Sequence, residues 1–204
     1  MSRFMPLNLI IAALALSGCA SQVMPSDTST ATNAASVTAN ECIGSVLLPP
    51  ELASQFVAID DPELLNSALG QSEQGKLCQG QVYLAQQNVT LFRAWNSTNP
   101  KSRLGQWWAF TRPAGSIADY RSQYEICYQW SPLDKMLSCE LKAGSKVVVG
   151  NGQSAKCSDY LTYPVSATQQ VYLADAANSV ANCTDFIGVM SWEAQAPNMP
   201  NSAH

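Results

Sequence analysis

Histidine is almost missing from this sequence: of 204 residues only His204, the last one, is a histidine. A Ser/His/Asp or Cys/His nucleophilic site therefore lacks its base. No CxxC or other close pair of cysteines occurs either, so a structural zinc site of the Cys/His kind lacks its ligands, and no metal ligands are assigned. Charge is sparse at 13%, with 15 acidic residues against 11 basic ones and a net charge of -4. Neutralising phosphates requires a basic surface, which excludes nucleic acid as a partner. The GxSxG, Walker A and Rossmann fingerprints are absent, as is any repeat of fixed period.

The N-terminus is the most legible part. Met1-Ser2-Arg3 precedes an apolar run, LNLIIAALAL, from Leu7 to Leu16, followed by Ser17, Gly18 and Cys19. At 1.5 Å per residue that run reaches about half of a ~30 Å hydrocarbon core, too short for a permanent span. A basic start, a short apolar region and small residues at the cut site are the pattern of an export signal, expected over residues 1–18.

Leu16-Ser17-Gly18-Cys19 resembles the lipobox of bacterial lipoproteins. The resemblance implies a diacylglyceryl group on the Cys19 sulfur, cleavage before Cys19 and acylation of the new amino group. One acyl chain holds a protein to a bilayer only marginally, so several chains are needed for a stable anchor. Ala20 and Ser21 follow, with no Asp at the sorting position. By the same resemblance the expected location is the outer membrane, facing the periplasm or the cell surface, with the lipid bilayer as a partner. Loss of residues 1–18 removes Arg3, leaving 10 basic against 15 acidic residues and a mature charge of about -5.

With Cys19 assigned to lipid, Cys42, Cys78, Cys127, Cys139, Cys157 and Cys183 remain. In an exported chain they read as up to three disulfides, with about 15 pairings open. Neighbours in sequence close the shortest loops, which favours Cys42 with Cys78, Cys127 with Cys139 and Cys157 with Cys183. Residues 19–41 are rich in Ser, Thr, Ala and Asn and contain no aromatic residue. They are expected to form a flexible tether, because so little apolar surface cannot offset ordering entropy. Residues 42–192 are expected to form one globular domain, and residues 193–204 a disordered tail.

Within the domain, Asp60-Asp61-Pro62-Glu63 before LLNSALGQ is a helix start, with an N-cap acid and Pro in the first turn. SIADYRSQYEIC, residues 116–127, predicts a second helix. Short β-branched and aromatic runs at 80–85, 89–95, 106–111, 138–142, 146–150, 169–174 and 185–192 predict strands. Gly150-Asn151-Gly152 reads as a tight hairpin turn. Two early helices among many short strands indicate an α+β domain, stabilised by disulfides, with a mainly antiparallel sheet.

Chemistry is harder to place, and no catalytic residue is assigned. Asp119, Glu125, Asp134, Glu140, Asp159 and Asp175 have no spacing that selects an acid/base pair, and a solvated surface is expected for them. Arg93 lies inside the aromatic run VTLFRAW, where a buried guanidinium must be paired. GQWWAFT, ending at Thr111, follows, and later comes Thr168-Gln169-Gln170-Val171.

This order resembles the core of bacterial ADP-ribosyltransferases, an NAD-using toxin family. The resemblance implies NAD as cofactor, with Arg93 on its phosphate-bearing part and Trp108 and Thr111 beside the nicotinamide. Gln170 stands where the family has its catalytic Glu. A neutral amide loses a charge worth a few kcal/mol of electrostatic stabilisation, so the implied copy is inactive or only binds nucleotide. Trp95, Trp107, Trp108 and Trp130 suggest instead an aromatic platform for a glycan. The primary expectation is a non-enzymatic binding, assembly or protective role at the envelope, with an envelope protein or glycan as partner.

Overall fold

The computed structural model describes residues 41–195. The expected signal segment, the expected lipidation site Cys19, the expected tether up to residue 40 and the expected tail from residue 196 lie outside the described residues. In chain order come α1 (Pro50–Ala53), β1 (Phe56–Ala58), α2 (Pro62–Ala68), β2 (Leu77–Ala85), β3 (Val89–Trp95) and a 3-10 turn (Pro100–Ser102). Next are β4 (Trp107–Trp108), α3 (Ile117–Gln123), β5 (Lys135–Leu141), β6 (Lys146–Gly152), β7 (Ala155–Ser158) and β8 (Leu161–Tyr163). β9 (Gln169–Tyr172), α4 (Ala176–Ser179), β10 (Val180–Ile187) and β11 (Glu193–Ala194) complete the set.

The architecture is α+β, and the sheets are antiparallel. One sheet has the order β1-β2-β6-β9-β4 and a second β11-β10-β5-β3, while β7 and β8 pair separately. The main core draws Tyr83, Val147, Val149 and Val171 from the first sheet and Leu91, Leu137, Leu141 and Val180 from the second. Side chains alternate along a strand, so Val148 faces the other way. There it meets Val82, Tyr172 and the apolar side of α2 at Leu64, Leu65 and Ala68. The unbroken run Val147-Val148-Val149 follows from burial on both faces. Phe92 and Ala109 exchange a pair of 2.8 Å backbone hydrogen bonds that link the two sheets.

α2 begins as its sequence requires, with the Asp61 carboxylate accepting from the Leu64 amide at 3.1 Å. α3 stops at Gln123, short of the expected Cys127. The Ile126 amide reaches back to the Arg121 carbonyl at 2.9 Å, and Glu125 takes φ 47°. This is the Schellman way of ending a helix, with glutamate at the left-handed position where glycine is usual. α1 and α4 are further one-turn helices, each of 4 residues.

Other expectations need correction. Gly150-Asn151-Gly152 is not a turn but the end of β6, paired with β2 and β9. A side chain at Gly150 would collide with the Gln79 carbonyl, so close approach between strands explains this glycine. The strand expected over 106–111 shrinks to Trp107–Trp108 because Ala109 turns away from β9 to bridge Phe92. β10 ends at Ile187, Gly188 turns at φ 102°, and β11 pairs back on β10. Glu193–Ala194 therefore belongs to a sheet rather than to a disordered tail.

The cysteines form three disulfides, Cys42–Cys78, Cys127–Cys157 and Cys139–Cys183. The first is the sequence-neighbour pair; the other two are not. Cys139 lies within β5, whose cross-strand neighbour β10 brings Cys183 to a Cα separation of 4.1 Å. That pairing leaves Cys127 to Cys157 on β7. Strand pairing, not loop length, decides the partners.

Candidate functional site

A cavity of about 190 Å³ opens where β3, β4, β9 and the segment after α3 meet. Its walls include Phe92, Trp95, Trp107, Trp108, Tyr120, Tyr124 and Trp130, with Arg93, Glu125 and Gln170 among them.

The helix cap sets up one wall. The Ser116 hydroxyl accepts from the Asp119 amide at 3.0 Å, starting α3 so that Tyr120 is buried, its ring 4.5 Å from that of Tyr124. Burial pushes the Tyr120 hydroxyl pKa far up, and that of Tyr124 to about 12. The left-handed turn at Glu125 then sends its own side chain inward, where it is only 2% exposed. Gly152 makes room for it, since any Cβ there would collide with Glu125 Oε2.

The Gln170 amide donates to Glu125 Oε2 at 2.7 Å, while Oε1 has no hydrogen-bond partner among the described residues. Burial raises the Glu125 pKa to about 8 against the opposing pull of Ser166 and Gln170. The Ser166 hydroxyl also donates to the Gln123 carbonyl at 2.7 Å, so its pull on the carboxyl is shared. Near neutral pH most Glu125 is thus a carboxylic acid.

Arg93 enters from β3. Its Nε donates to the Ser102 carbonyl at 2.9 Å and its Nη1 to the Trp107 carbonyl at 2.5 Å, with Nη2 packed against Gly105. Backbone oxygens, rather than a carboxylate, satisfy it. Burial lowers its pKa to about 10, still cationic at neutral pH, and the neighbouring Tyr120 pulls the other way. Trp95 presents an indole Nε1–H with no partner among the described residues. Three non-glycine residues with positive φ line this cavity, Lys76 at 67°, Glu125 at 47° and Leu133 at 56°. Backbone strain of this kind clusters at functional sites.

No family model, curated protein or solved structure matches this chain. What the cavity can do rests on its own chemistry. Arg93, Trp108 and Gln170 share it, whereas Thr111 is exposed and not in its lining. All four tryptophans of the suggested platform, Trp95, Trp107, Trp108 and Trp130, line it.

Among the six acids weighed from the sequence, Glu125 alone faces the cavity, and it is not a solvated surface group. Asp175 caps α4, Asp119 accepts from the Ser116 hydroxyl that caps α3, and Asp134 accepts from Ser97. Glu140 is held by Asn88 and Asn182, and Asp159 is an exposed partner of Lys156. The lining pairs its one carboxyl with no second carboxyl and no imidazole. Aromatic walls with a few fixed polar groups are the make-up of a ligand-binding site.

Proposed function

We propose that this protein is a lipoprotein anchored to the outer membrane through acylated Cys19, whose globular part binds a small envelope component, a glycan fragment, without chemical turnover. The observation that carries the binding role is the convergence of Trp95, Trp107, Trp108 and Trp130 on one cavity that also holds Glu125 and Gln170. Sugar rings offer apolar faces to stack on aromatic rings and hydroxyls for polar groups. Three disulfides in the domain accord with export to an oxidising compartment. About 190 Å³ is below the roughly 300–1,000 Å³ of drug-sized pockets, which suits one sugar ring.

An ADP-ribosyltransferase-like reading is favoured by one observation, the shared cavity of Arg93, Trp108 and Gln170. Against it, Thr111 is outside the lining, and the cavity suits one ring system rather than a dinucleotide. Equilibrium dialysis of the mature protein against soluble peptidoglycan fragments, with NAD assayed in parallel, separates the two. Retention of glycan fragments with NAD left intact is the expected result. Release of nicotinamide from NAD would establish the transferase-like reading.

A further inference from the structure

We propose that the ligand of this cavity carries a carboxylate on a flat, apolar-faced body, received by Arg93, the Trp95 indole N–H and the Glu125 carboxyl. This rests on the binding role proposed above and names the chemistry of what is bound.

Among the described residues, the buried polar side-chain atoms left without a hydrogen bond are Trp95 Nε1 and Glu125 Oε1, and both residues line the cavity. Buried polar atoms are rarely left unpaired, and each that is marks a strained or functional place. Trp95 Nε1 can only donate. Glu125 Oε2 already accepts from Gln170, so the proton of the neutral acid sits on Oε1, which makes that atom a donor as well.

Arg93 adds a positive charge whose Nη2 makes no hydrogen bond among the described residues. The residues lining the cavity therefore carry three donors without a partner among the described residues, one of them cationic, and call for acceptors and one negative charge. A carboxylate supplies two acceptor oxygens and a single charge, and the aromatic walls take the rest of the ligand. Both unpaired atoms are shut off from water, so the side chains must part slightly to admit the ligand.

The groups around Glu125 preserve this sign of charge. Tyr124 faces it from the cap of α3, Gln170 from β9, Gly152 from β6 and Ser166 from the loop before β9, while Tyr120 stands between Tyr124 and Arg93. Arg93 on β3 and Lys76 before β2 line the same cavity, with Lys76 Nζ donating to the Ser67 carbonyl. Arg121 is taken up by the carbonyls of Ile126 and Ser131. No second carboxylate stands in the lining to repel an anion. Ionisation of Glu125 as pH rises through about 8 turns Oε1 from a donor into a like charge, so anion affinity falls there.

The test is a titration of the mature, acylated protein in detergent, against a micelle-only blank. Its probes are benzoate, its uncharged isostere benzamide, glucuronate and glucose, at pH 6.5 and pH 9.5. Benzoate or glucuronate should bind about tenfold or more tighter than its neutral counterpart at pH 6.5, and lose about tenfold or more at pH 9.5, as coupling to one proton requires. A preference for glucuronate over benzoate places the carboxylate on a sugar, and the reverse places it on a free aromatic acid.

Glu125→Gln should bind the acid with the pH 6.5 to 9.5 loss removed. The comparison of acid with isostere in the unaltered protein does not depend on that variant folding. Equal binding of acid and isostere, or no pH effect in the unaltered protein, overturns the inference. Glucose binding without acid preference would leave the glycan-binding role standing and remove the carboxylate. Failure of the sugars and peptidoglycan fragments with benzoate still bound would remove the glycan and keep the carboxylate, and failure of benzoate as well would remove both.

Discussion

At the scale of single residues, Glu125 and Gly152 form a pair that neither announces in the sequence. Glu125 is one of several acids without informative spacing, and its burial depends on a left-handed helix end and on a glycine 27 positions away. That contact is made by the fold, not by local pattern. Arg93 is more legible, since an arginine within VTLFRAW has to find partners, although its acceptors are backbone carbonyls.

Because the folded-state pKa of Glu125 lies near 8, above its usual value of 4.5, the folded protein binds the extra proton between those limits. Stability from this group is full below about pH 4.5 and is lost as pH rises to about 8. The loss is on the order of 5 kcal/mol, since each tenfold difference in proton affinity between the folded and unfolded chain is worth ~1.4 kcal/mol. Urea melts between pH 5 and pH 9 should show this decline in the unaltered protein and a flatter profile in Glu125→Gln; parallel profiles would mean that Glu125 is ionised throughout. Gly152→Ala should cost about 1–3 kcal/mol as a small-to-large change in a filled site. An unchanged urea midpoint would show that the carboxyl does not occupy that space.

At the scale of elements, strands are legible where one chemical cause dominates. β3 occupies the expected residues, and β2, β5, β6 and β9 overlap theirs, because β-branched and aromatic runs between turn residues have few other uses. Local pattern misleads where distant partners decide. The Gly-Asn-Gly run continues β6 because its neighbours approach closely, and the aromatic strand breaks after Trp108 because Phe92 captures Ala109. The disulfides belong to the same class: β10 pairs with β5, which fixes Cys139 to Cys183. Non-reduced peptide mapping should recover Cys127–Cys157 and Cys139–Cys183 as separate links, whereas a Cys127–Cys139 peptide would contradict the strand pairing.

At the scale of the whole molecule, a two-sheet core held by three disulfides carries an aromatic cavity whose walls come from separate parts of the chain. The fold class is readable from the alternation of short strands and capped helices. The cavity is not, since Trp95, Trp108, Trp130 and Gln170 meet only through the antiparallel return of β9 beside β4 and the turn after α3. The proposed anchor rests separately on the N-terminal residues. Cys19→Ala should move the protein from the membrane fraction to the soluble periplasmic fraction; continued membrane attachment would point to another anchor.

Four of the five tryptophans line the cavity, which makes intrinsic fluorescence a direct report of its occupancy. Titration of the mature protein with soluble peptidoglycan fragments should give a saturable change in tryptophan emission that Trp130→Ala weakens about tenfold. That size matches the loss of one stacking ring, on the order of 0.5–1.5 kcal/mol. A flat emission signal together with no retention in dialysis would contradict the binding role.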